Sequence, residues 1–358
     1  MTSKLSKESL ENLIEWFNKE KREMPWRNNR TPYRVWISEL MLQQTKVDQA
    51  IPYFNKWMKY FPTLLSISKS SEEEVLKLWE GLGYYSRARN IYKTSKIIKD
   101  KYKGHFPTNP NDIESLPGIG PYTKAAICSL AYNLDYGVLD GNVIRVLSRF
   151  FAYSDNVGKL SSKKELQSIV DLSLPKGKSS EFNEAIMELG ALVCTPKKTK
   201  CNACPINNNC KAFKKDLVEN YPIKTAKKKV PLINVGAAVI IKNNKILISQ
   251  RRSGQMLEGL WEFPGGKKES NENIQECIKR EIKEELNLDV FVDNHLVTIN
   301  HSYSHFKMRL FTYFVKIIKG SPKSMENQNF EWISFNKIRN RPFSKADLKI
   351  IDALSNHM

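Results

Sequence analysis

The feature that most constrains this chain is a change of apolar period near residue 223. From residue 1 to about 222 apolar positions recur at helical spacing, broken by short joints marked by Pro and Gly, and nothing alternates convincingly. "SSEEEVLKLW" opens one such helix with a capping box, Ser71 answered three residues on by Glu74. Residues 223–232, "IKTAKKKVPL", are basic, contain a proline and have no period, which predicts a linker; its Lys227 to Lys229 would either touch a polyanion or stand in water. After it, "NVGAAVIIKNNKILISQRR" reads as two β-rich runs around Asn243-Asn244, which tolerate the left-handed turn of a tight hairpin. "HFKMRLFTYFVKII" is a further strand, and one good helix falls near 272 to 287. The expected architecture is an all-α domain over 1–222, a linker over 223–232 and an α/β or α+β domain over 233–358.

Length and charge agree with two cores and suggest a partner. A chain of 358 residues exceeds one ordinary core, and 41% hydrophobic content fills two. The balance of 57 Lys and Arg against 38 Asp and Glu, a formal charge of +19, favours a polyanion, with nucleic acid ahead of a membrane surface. The opening "MTSKLSKESLENLIEWF" lacks an apolar core and carries Glu8, Glu11 and Glu15, so it reads as a helix and not a targeting segment. "VPLINVGAAVII" is too short to cross a bilayer. A soluble, cytoplasmic protein without a membrane partner is expected.

Four of the six cysteines cluster: Cys194, Cys201, Cys204 and Cys210, with six, two and five residues between successive members. Without a secretory signal they read as metal ligands, and four thiolates suit tetrahedral zinc or an iron-sulfur centre. Only one Cys-x-x-Cys hook is present, so spacing leans weakly to iron-sulfur. Cys128 and Cys277 sit alone on apolar helical faces and are expected in cores.

In "SLPGIGPYTKAAICSLAY", Gly118 and Gly120 separate two helical patterns, with Pro121 opening the second. Such a turn presents backbone N–H groups at a helix N-terminus, where phosphate is stabilised, and is a helix-hairpin-helix signal. Two carboxylates stand out nearby. Glu39 in "YRVWISELMLQQT" has Val35, Trp36 and Leu42 around it at helical spacing, and a desolvated carboxyl keeps the proton a general acid needs. Asp140 in "VLDGNVIRVLSRF" precedes a helix, where a plain N-terminal cap is the commoner role.

"SELMLQQTKV", "GLGYYSRARN", "LPGIGPYT", "LDGNVIRVLSRF" and the four-cysteine spacing, in that order, closely resemble the MutY-type adenine DNA glycosylases of the endonuclease III superfamily. The resemblance spans essentially the whole first domain. It implies a helix-hairpin-helix fold with a 4Fe-4S cluster in the 194–210 loop. It further implies removal of adenine mispaired with 8-oxoguanine in double-stranded DNA by a monomer working at the nucleoid. Glu39 would then protonate the base, Asp140 would stabilise the sugar cation, Tyr122 would orient these carboxylates, and Asn142 stands beside Asp140. Gln44 and Tyr84 match residues that wedge into the duplex when adenine is flipped out. Strand-cutting relatives carry a nucleophilic lysine where this chain has Tyr122, so a monofunctional enzyme is implied. Lys124, about 200° further round a helix, is expected to contact phosphate or water.

In the second domain Gly266, Glu272 and "REIKEELNL" from Arg280 fit a Nudix box, with Asn287 in place of the usual late glycine. Asparagine is the next best residue for a left-handed helix end. Glu281, Glu284 and Glu285 share a helical face, and three like charges there repel unless a cation such as Mg2+ joins them. The glycosylase family usually carries a Nudix-like domain with an eroded box that recognises 8-oxoguanine. Here "GLWEFPGGKKE" is closer to the MutT-type hydrolases of oxidised dGTP. "HSYSHFKMRL" resembles the family's lesion-contacting loop, with Tyr303 where Phe is common, then Ser304 and His305. A lesion reader is expected, with a Mg2+-dependent 8-oxo-dGTP pyrophosphatase as the alternative.

Overall fold

The computed structural model describes residues 4–225, 230–325 and 328–357, so Lys227 to Lys229 lie outside the described residues. Its contacts divide the chain into two compact units, Met1–Ser66 with Lys93–Lys227, and Ile67–Tyr92 with Lys228–Met358.

The first unit is helical. Helix α1 (Lys7–Glu20) starts where the Ser6 side chain accepts the Ser9 amide, and it buries Ser9, Leu13 and Phe17 along one stripe. That stripe joins a core with Val143, Val146 and Phe150 and with Phe182, Ile186 and Leu189. Helix α2 (Pro32–Leu42) is capped by Thr31 and buries Tyr33 and every residue from Val35 to Met41, as expected for a helix apolar on nearly every side. Helix α3 (Pro121–Ala126) follows the glycine turn, α4 (Gly141–Phe150) begins at Asp140, and α5 (Ser179–Leu192) lies against α4. The close approach of α4 and α5 needs Gly190, where a Cβ would stand 2.6 Å from that of Asn142.

The second unit is a sheet between helices. Strands β1 (Leu232–Lys242) and β2 (Lys245–Gln250) form the expected hairpin, with Asn243 and Asn244 both left-handed at φ 50° and 58°. Short strands β3 (Trp261–Glu262) and β4 (Gly265–Lys267) precede helix α6 (Ile274–Leu286). Then come β5 (Asp289–Ser302), β6 (Lys307–Lys319) and β7 (Phe330–Ser334). The order is β3-β2-β1-β6-β5, with β4 on β1 and β7 on β2; β1 and β6 run parallel, Val235 opposite Leu310. Ile278, Ile282 and Leu286 of α6 pack on Ala238, Ile240 and Leu247. The opposite sheet face packs on Ile350, Ile351 and Leu354 of α7 (Lys345–Leu354). Cover on both faces explains why Gly236 to Ile240 are buried in succession instead of alternating. Sequence reading expected one helix here; α7 corrects it, and its apolar spacing behind the Ser344 cap was available as a signal.

Residues 67–92 belong to this second unit, which the sequence period did not suggest, because the ties are side chains distant in sequence. Glu73 accepts from Trp261 Nε1 at 2.8 Å and pairs with Arg341 at 3.0 Å, and Glu80 accepts the Phe343 amide at 2.8 Å. The Ser71–Glu74 capping box is present. Among the described residues, no helix is long and apolar enough to cross a membrane.

Candidate functional site

Helix α2 delivers Glu39 into the wall of a cavity of about 930 Å3 in the first unit, 6% exposed. Tyr122, on α3, donates its hydroxyl to Glu39 Oε2 at 2.6 Å. Burial pushes the Glu39 carboxyl up to about 7; the Tyr122 bond pulls against it, and the charges of Asp140 and Glu184 add to it. The Tyr122 phenol is itself raised, first by burial and then by the charge of Glu39.

Asp140 lines the same cavity and also caps α4, so the two roles coincide. Its Oδ1 accepts the Val143 amide at 2.7 Å and its Oδ2 accepts Asn142 Nδ2 at 2.7 Å. Burial raises its carboxyl, opposed by those bonds. Arg145 holds Asn142 in turn, donating to Asn142 Oδ1 at 2.8 Å and to the Cys194 carbonyl at 2.7 Å. Glu39, Tyr122, Asp140, Asn142 and Gln44 are thus brought to one cavity.

Gly118 and Gly120 lie outside that wall. Gly118 takes the left-handed backbone, φ 77°, that the turn requires, and Gly120 is the N-cap of α3 in extended backbone. Lys124 pairs with Glu114 at 2.7 Å on a partly exposed surface.

Sequence reading missed the polar half of this cavity. Glu184 and Glu188 are buried on α5, and Arg27 reaches both, at 2.8 and 3.2 Å. Arg22 clasps Glu188 with two bonds of 2.8 and 3.0 Å, and Arg30 pairs with Glu184 at 2.6 Å. Burial alone would raise Glu188, but the Arg22 bonds and the charge of Arg27 outweigh it and hold the carboxyl low. Glu184 and Glu188, four apart among the apolar neighbours of "EFNEAIMELG", were the available signal.

Cys194, Cys201, Cys204 and Cys210 line one small cavity together with Arg149, whose guanidinium is buried and donates to Cys194 Sγ at 3.3 Å. Burial pushes Cys204 up to about 12 and raises Cys210, with the neighbouring sulfurs adding to both. Among the described residues, no three or more His, Cys, Asp or Glu side chains are arranged as a ready-made metal-holding group, the four cysteines included. Cys128 and Cys277 are fully buried, as expected.

In the second unit a cavity of about 480 Å3 has Glu281 and Glu285 in its wall with Gly265 and Gly266. A side chain at 266 would collide with the Glu281 carboxylate. The expected three-glutamate face is split. Glu284 points to solvent, and Arg280 is the cation that joins it to Glu281, at 3.0 Å to each. Arg280 also clasps Glu272 at 2.8 and 3.0 Å, which lowers that carboxyl to about 2. Asn287 is the left-handed end of α6 at φ 53°, as its place in the motif implies. Ser304 and His305 sit on the exposed turn between β5 and β6. Tyr84, left-handed at φ 48°, meets Ser304 through its hydroxyl.

A family model described as "HhH-GPD superfamily base excision DNA repair protein" matches residues 37–171, and a NUDIX domain model matches 236–353. The adenine DNA glycosylase of Buchnera aphidicola subsp. Acyrthosiphon pisum is 35% identical over 342 residues, 95% of each chain. The chain belongs to the adenine DNA glycosylase family. The Homo sapiens member is 30% identical over 398 residues, covering 94% of this chain and 72% of its own. A solved structure of a thermostable thymine-DNA glycosylase is 28% identical, with a TM-score of 0.53, covering 57% of this chain and 95% of its own. A helical base-excision repair domain followed by a mixed α/β Nudix domain is therefore shown. The base-excision match contains Glu39, Gln44, Tyr84, Tyr122, Asp140 and Asn142 and ends before the cysteine loop.

Proposed function

We propose that this chain is a monofunctional glycosylase that releases adenine mispaired with 8-oxoguanine in duplex DNA, acting as a cytoplasmic monomer at the nucleoid. The observation that carries the reading is one cavity holding a desolvated acid, Glu39, with a second carboxylate, Asp140, opposite neutral hydrogen-bond partners. Adenine is a poor leaving group, and Glu39, protonated near neutrality, gives its proton to the base. The C1′–N9 bond then breaks, its electron pair leaving with adenine. Asp140 stabilises the sugar cation until water adds and loses a proton, leaving an abasic site. Tyr122 orients Glu39, and Asn142 orients Asp140. Position 122 carries no lysine, and Lys124 is held by Glu114, so strand cleavage has no nucleophile at the position where cutting relatives carry it.

Gln44 and Tyr84 are assigned as duplex wedges, supported by left-handed backbone at both, φ 67° and 48°, which non-glycine residues adopt at a cost. The Gly118–Gly120 turn would take a DNA phosphate on its amides. Residues 1–222 would form the glycosylase domain and 233–358 a domain that reads 8-oxoguanine through Ser304 and His305. Cys194, Cys201, Cys204 and Cys210 would hold a 4Fe-4S cluster. What supports this reading is that the four cysteines line one cavity with the buried Arg149 guanidinium, a cation that favours an anionic, thiolate-bound group. Such a cluster would pin the loop whose Cys194 carbonyl Arg145 grips.

The test is adenine release from a synthetic duplex bearing A opposite 8-oxoguanine, in single turnover. Glu39→Gln should bind that duplex and release adenine roughly 100- to 10,000-fold more slowly. Near wild-type release by the mutant would remove Glu39 from its role, and no release by the wild-type protein would leave a mismatch sensor.

A second reading is favoured by the cavity beside Gly266: the α/β domain also hydrolyses 8-oxo-dGTP. The carboxylate oxygens of Glu281 and Glu285 in that wall suit Mg2+, which would there neutralise phosphate charge. Mg2+-dependent turnover that Glu281→Gln abolishes is the expected signature. Equal turnover in the mutant would discard this reading.

A further inference from the structure

The segment "EGLGYYSR", residues 80–87, joins the helices Glu72–Trp79 and Ser86–Tyr102 through three left-handed residues in four: Gly81 at φ 94°, Gly83 at 71° and Tyr84 at 48°. The two glycines take that backbone freely. Tyr84 does not, and it holds the conformation only where its surroundings fix it. The turn sends Tyr84 outward, 42% exposed, and its neighbours Leu82 and Tyr85 inward, at 9% and 4%. A side chain that wedges between stacked bases pushes against the cost of unstacking them, so it needs a stiff mount. The contacts behind Tyr84 supply one.

An arginine in so basic a chain is a natural phosphate contact, yet Arg87 is only 9% exposed. Its guanidinium stands 5.2 Å from the ring centre of Tyr84 and 5.4 Å from that of Trp79, and it donates to the Gly83 carbonyl at 3.2 Å. Trp79 Nε1 donates to the same carbonyl at 3.0 Å. Burial lowers the guanidinium to about 10, which leaves it charged at neutral pH, and a desolvated cation holds an aromatic face more tightly than an exposed one. The second support comes from the same unit, far along the chain. The Tyr85 hydroxyl accepts the Gly81 amide at 3.2 Å and donates to the Phe343 carbonyl at 3.2 Å, and Glu80 accepts the Phe343 amide at 2.8 Å. Both backbone polar groups of one residue are thus spent on the wedge segment. Phe343 is fully buried, its ring 6.3 Å from that of Phe263 in the core beneath α7, so the grip ends in close-packed side chains.

We infer that Arg87, Tyr85 and Glu80 are positioning residues for adenine release: Arg87 backs the Tyr84 ring, and Tyr85 with Glu80 clasps the Phe343 peptide, so that Tyr84 is locked in its outward place. The inference rests on the reading of Tyr84 as a wedge and goes beyond it. It gives the second unit a mechanical part in base extrusion that needs no contact with the lesion. Each of the three residues acts through Tyr84 and none on the bond that breaks. A misplacement of about 1 Å far from the chemistry can cost roughly a hundredfold in rate, so loosening this mount should be felt in unstacking and release. Affinity for the duplex should be spared, because phosphate contacts supply most of it.

The experiment is single-turnover adenine release by the full-length protein from a duplex with A opposite 8-oxoguanine, with 2-aminopurine beside the mispair reporting unstacking by its fluorescence. Tyr84→Ala, Arg87→Met, Tyr85→Phe and Glu80→Ala are made singly, and the last three also in the Tyr84→Ala background. Arg87→Met should slow unstacking and release roughly ten- to a hundredfold, and Tyr85→Phe and Glu80→Ala roughly three- to tenfold. Duplex affinity should stay within about threefold in all of them. In the Tyr84→Ala background none should cost anything further, because a missing wedge cannot be misplaced. Thermal melts show which variants are folded; should Arg87→Met melt below the assay temperature, Tyr85→Phe, the loss of one oxygen, carries the test. Wild-type unstacking in the folded variants, or the same loss repeated in the Tyr84→Ala background, overturns the inference and leaves the wedge intact. Wild-type release by Tyr84→Ala removes the wedge reading, and this inference with it.

Discussion

Two glutamates in this molecule, Glu39 within helix α2 and Glu272 just before helix α6, share a residue type and differ in everything that decides their chemistry. Glu39 lies in a wall of apolar side chains with a phenol as its nearest partner, and its carboxyl is raised to about 7. Glu272, at the edge of the second unit, is clasped by the Arg280 guanidinium and lowered to about 2. A neutral donor in a dry wall keeps a proton available; a cation in a wet one removes it for good. The first arrangement serves a general acid, and the second fixes a charged loop. Composition cannot distinguish these, since each needs only a glutamate in or beside a helix.

The comparison is most exposed to a pH profile of adenine release. Glu39 must be protonated and Asp140 ionised, so the rate should form a bell. Above about pH 7 it should fall tenfold per unit as Glu39 loses its proton. On the acid side it should fall as Asp140, raised by burial, gains one. The Tyr122 bond stabilises the ionised form of Glu39, so Tyr122→Phe should move the alkaline limb to higher pH while lowering the plateau rate. A limb fixed in position in that variant, or a wild-type rate still rising through pH 8, would mean that burial does not set the proton on Glu39.

How far these arrangements were readable in the sequence follows from how local each one is. The period change, the Ser71–Glu74 and Asn243–Asn244 signals and the left-handed Asn287 are decided by neighbours in the chain, and all are present. Glu39 and Asp140 were picked out by local burial and helix position, and resemblance supplied the rest of their partnership. The Arg22, Arg27 and Arg30 network around Glu184 and Glu188 joins residues more than 150 apart, and no period or spacing reports such a pairing. The membership of 67–92 in the second unit was invisible for the same reason, since it rests on Glu73 and Glu80 reaching side chains and amides far along the chain. For the face of Glu281, Glu284 and Glu285 helical geometry was right about the register. It did not foresee that Arg280, one residue from Glu281, would turn back and join two of the charges itself.

That last arrangement offers the finer test, because it substitutes a side chain for the cation that like charges require. Arg280→Met keeps the stem and removes the charge, leaving Glu272, Glu281 and Glu284 to repel one another. These pairs are partly solvated, so water screens them, and the melting midpoint should fall by only about 2–4 °C near neutrality. The sign with pH is set by Glu272. Its carboxyl is lowered in the folded state, so its contribution is full above the ordinary carboxylate range. That contribution is lost as pH falls toward about 2, and the two proteins should converge there. Adenine release should not change, since Arg280 lies outside the cavity that holds Glu39. Millimolar Mg2+ should restore the midpoint in Arg280→Met if the freed carboxylates of Glu281 and Glu284 take up the ion in its place. An unchanged midpoint at neutral pH would show that solvent alone reconciles these charges, and the contrast with Glu39 would then rest on burial without any part for the guanidinium.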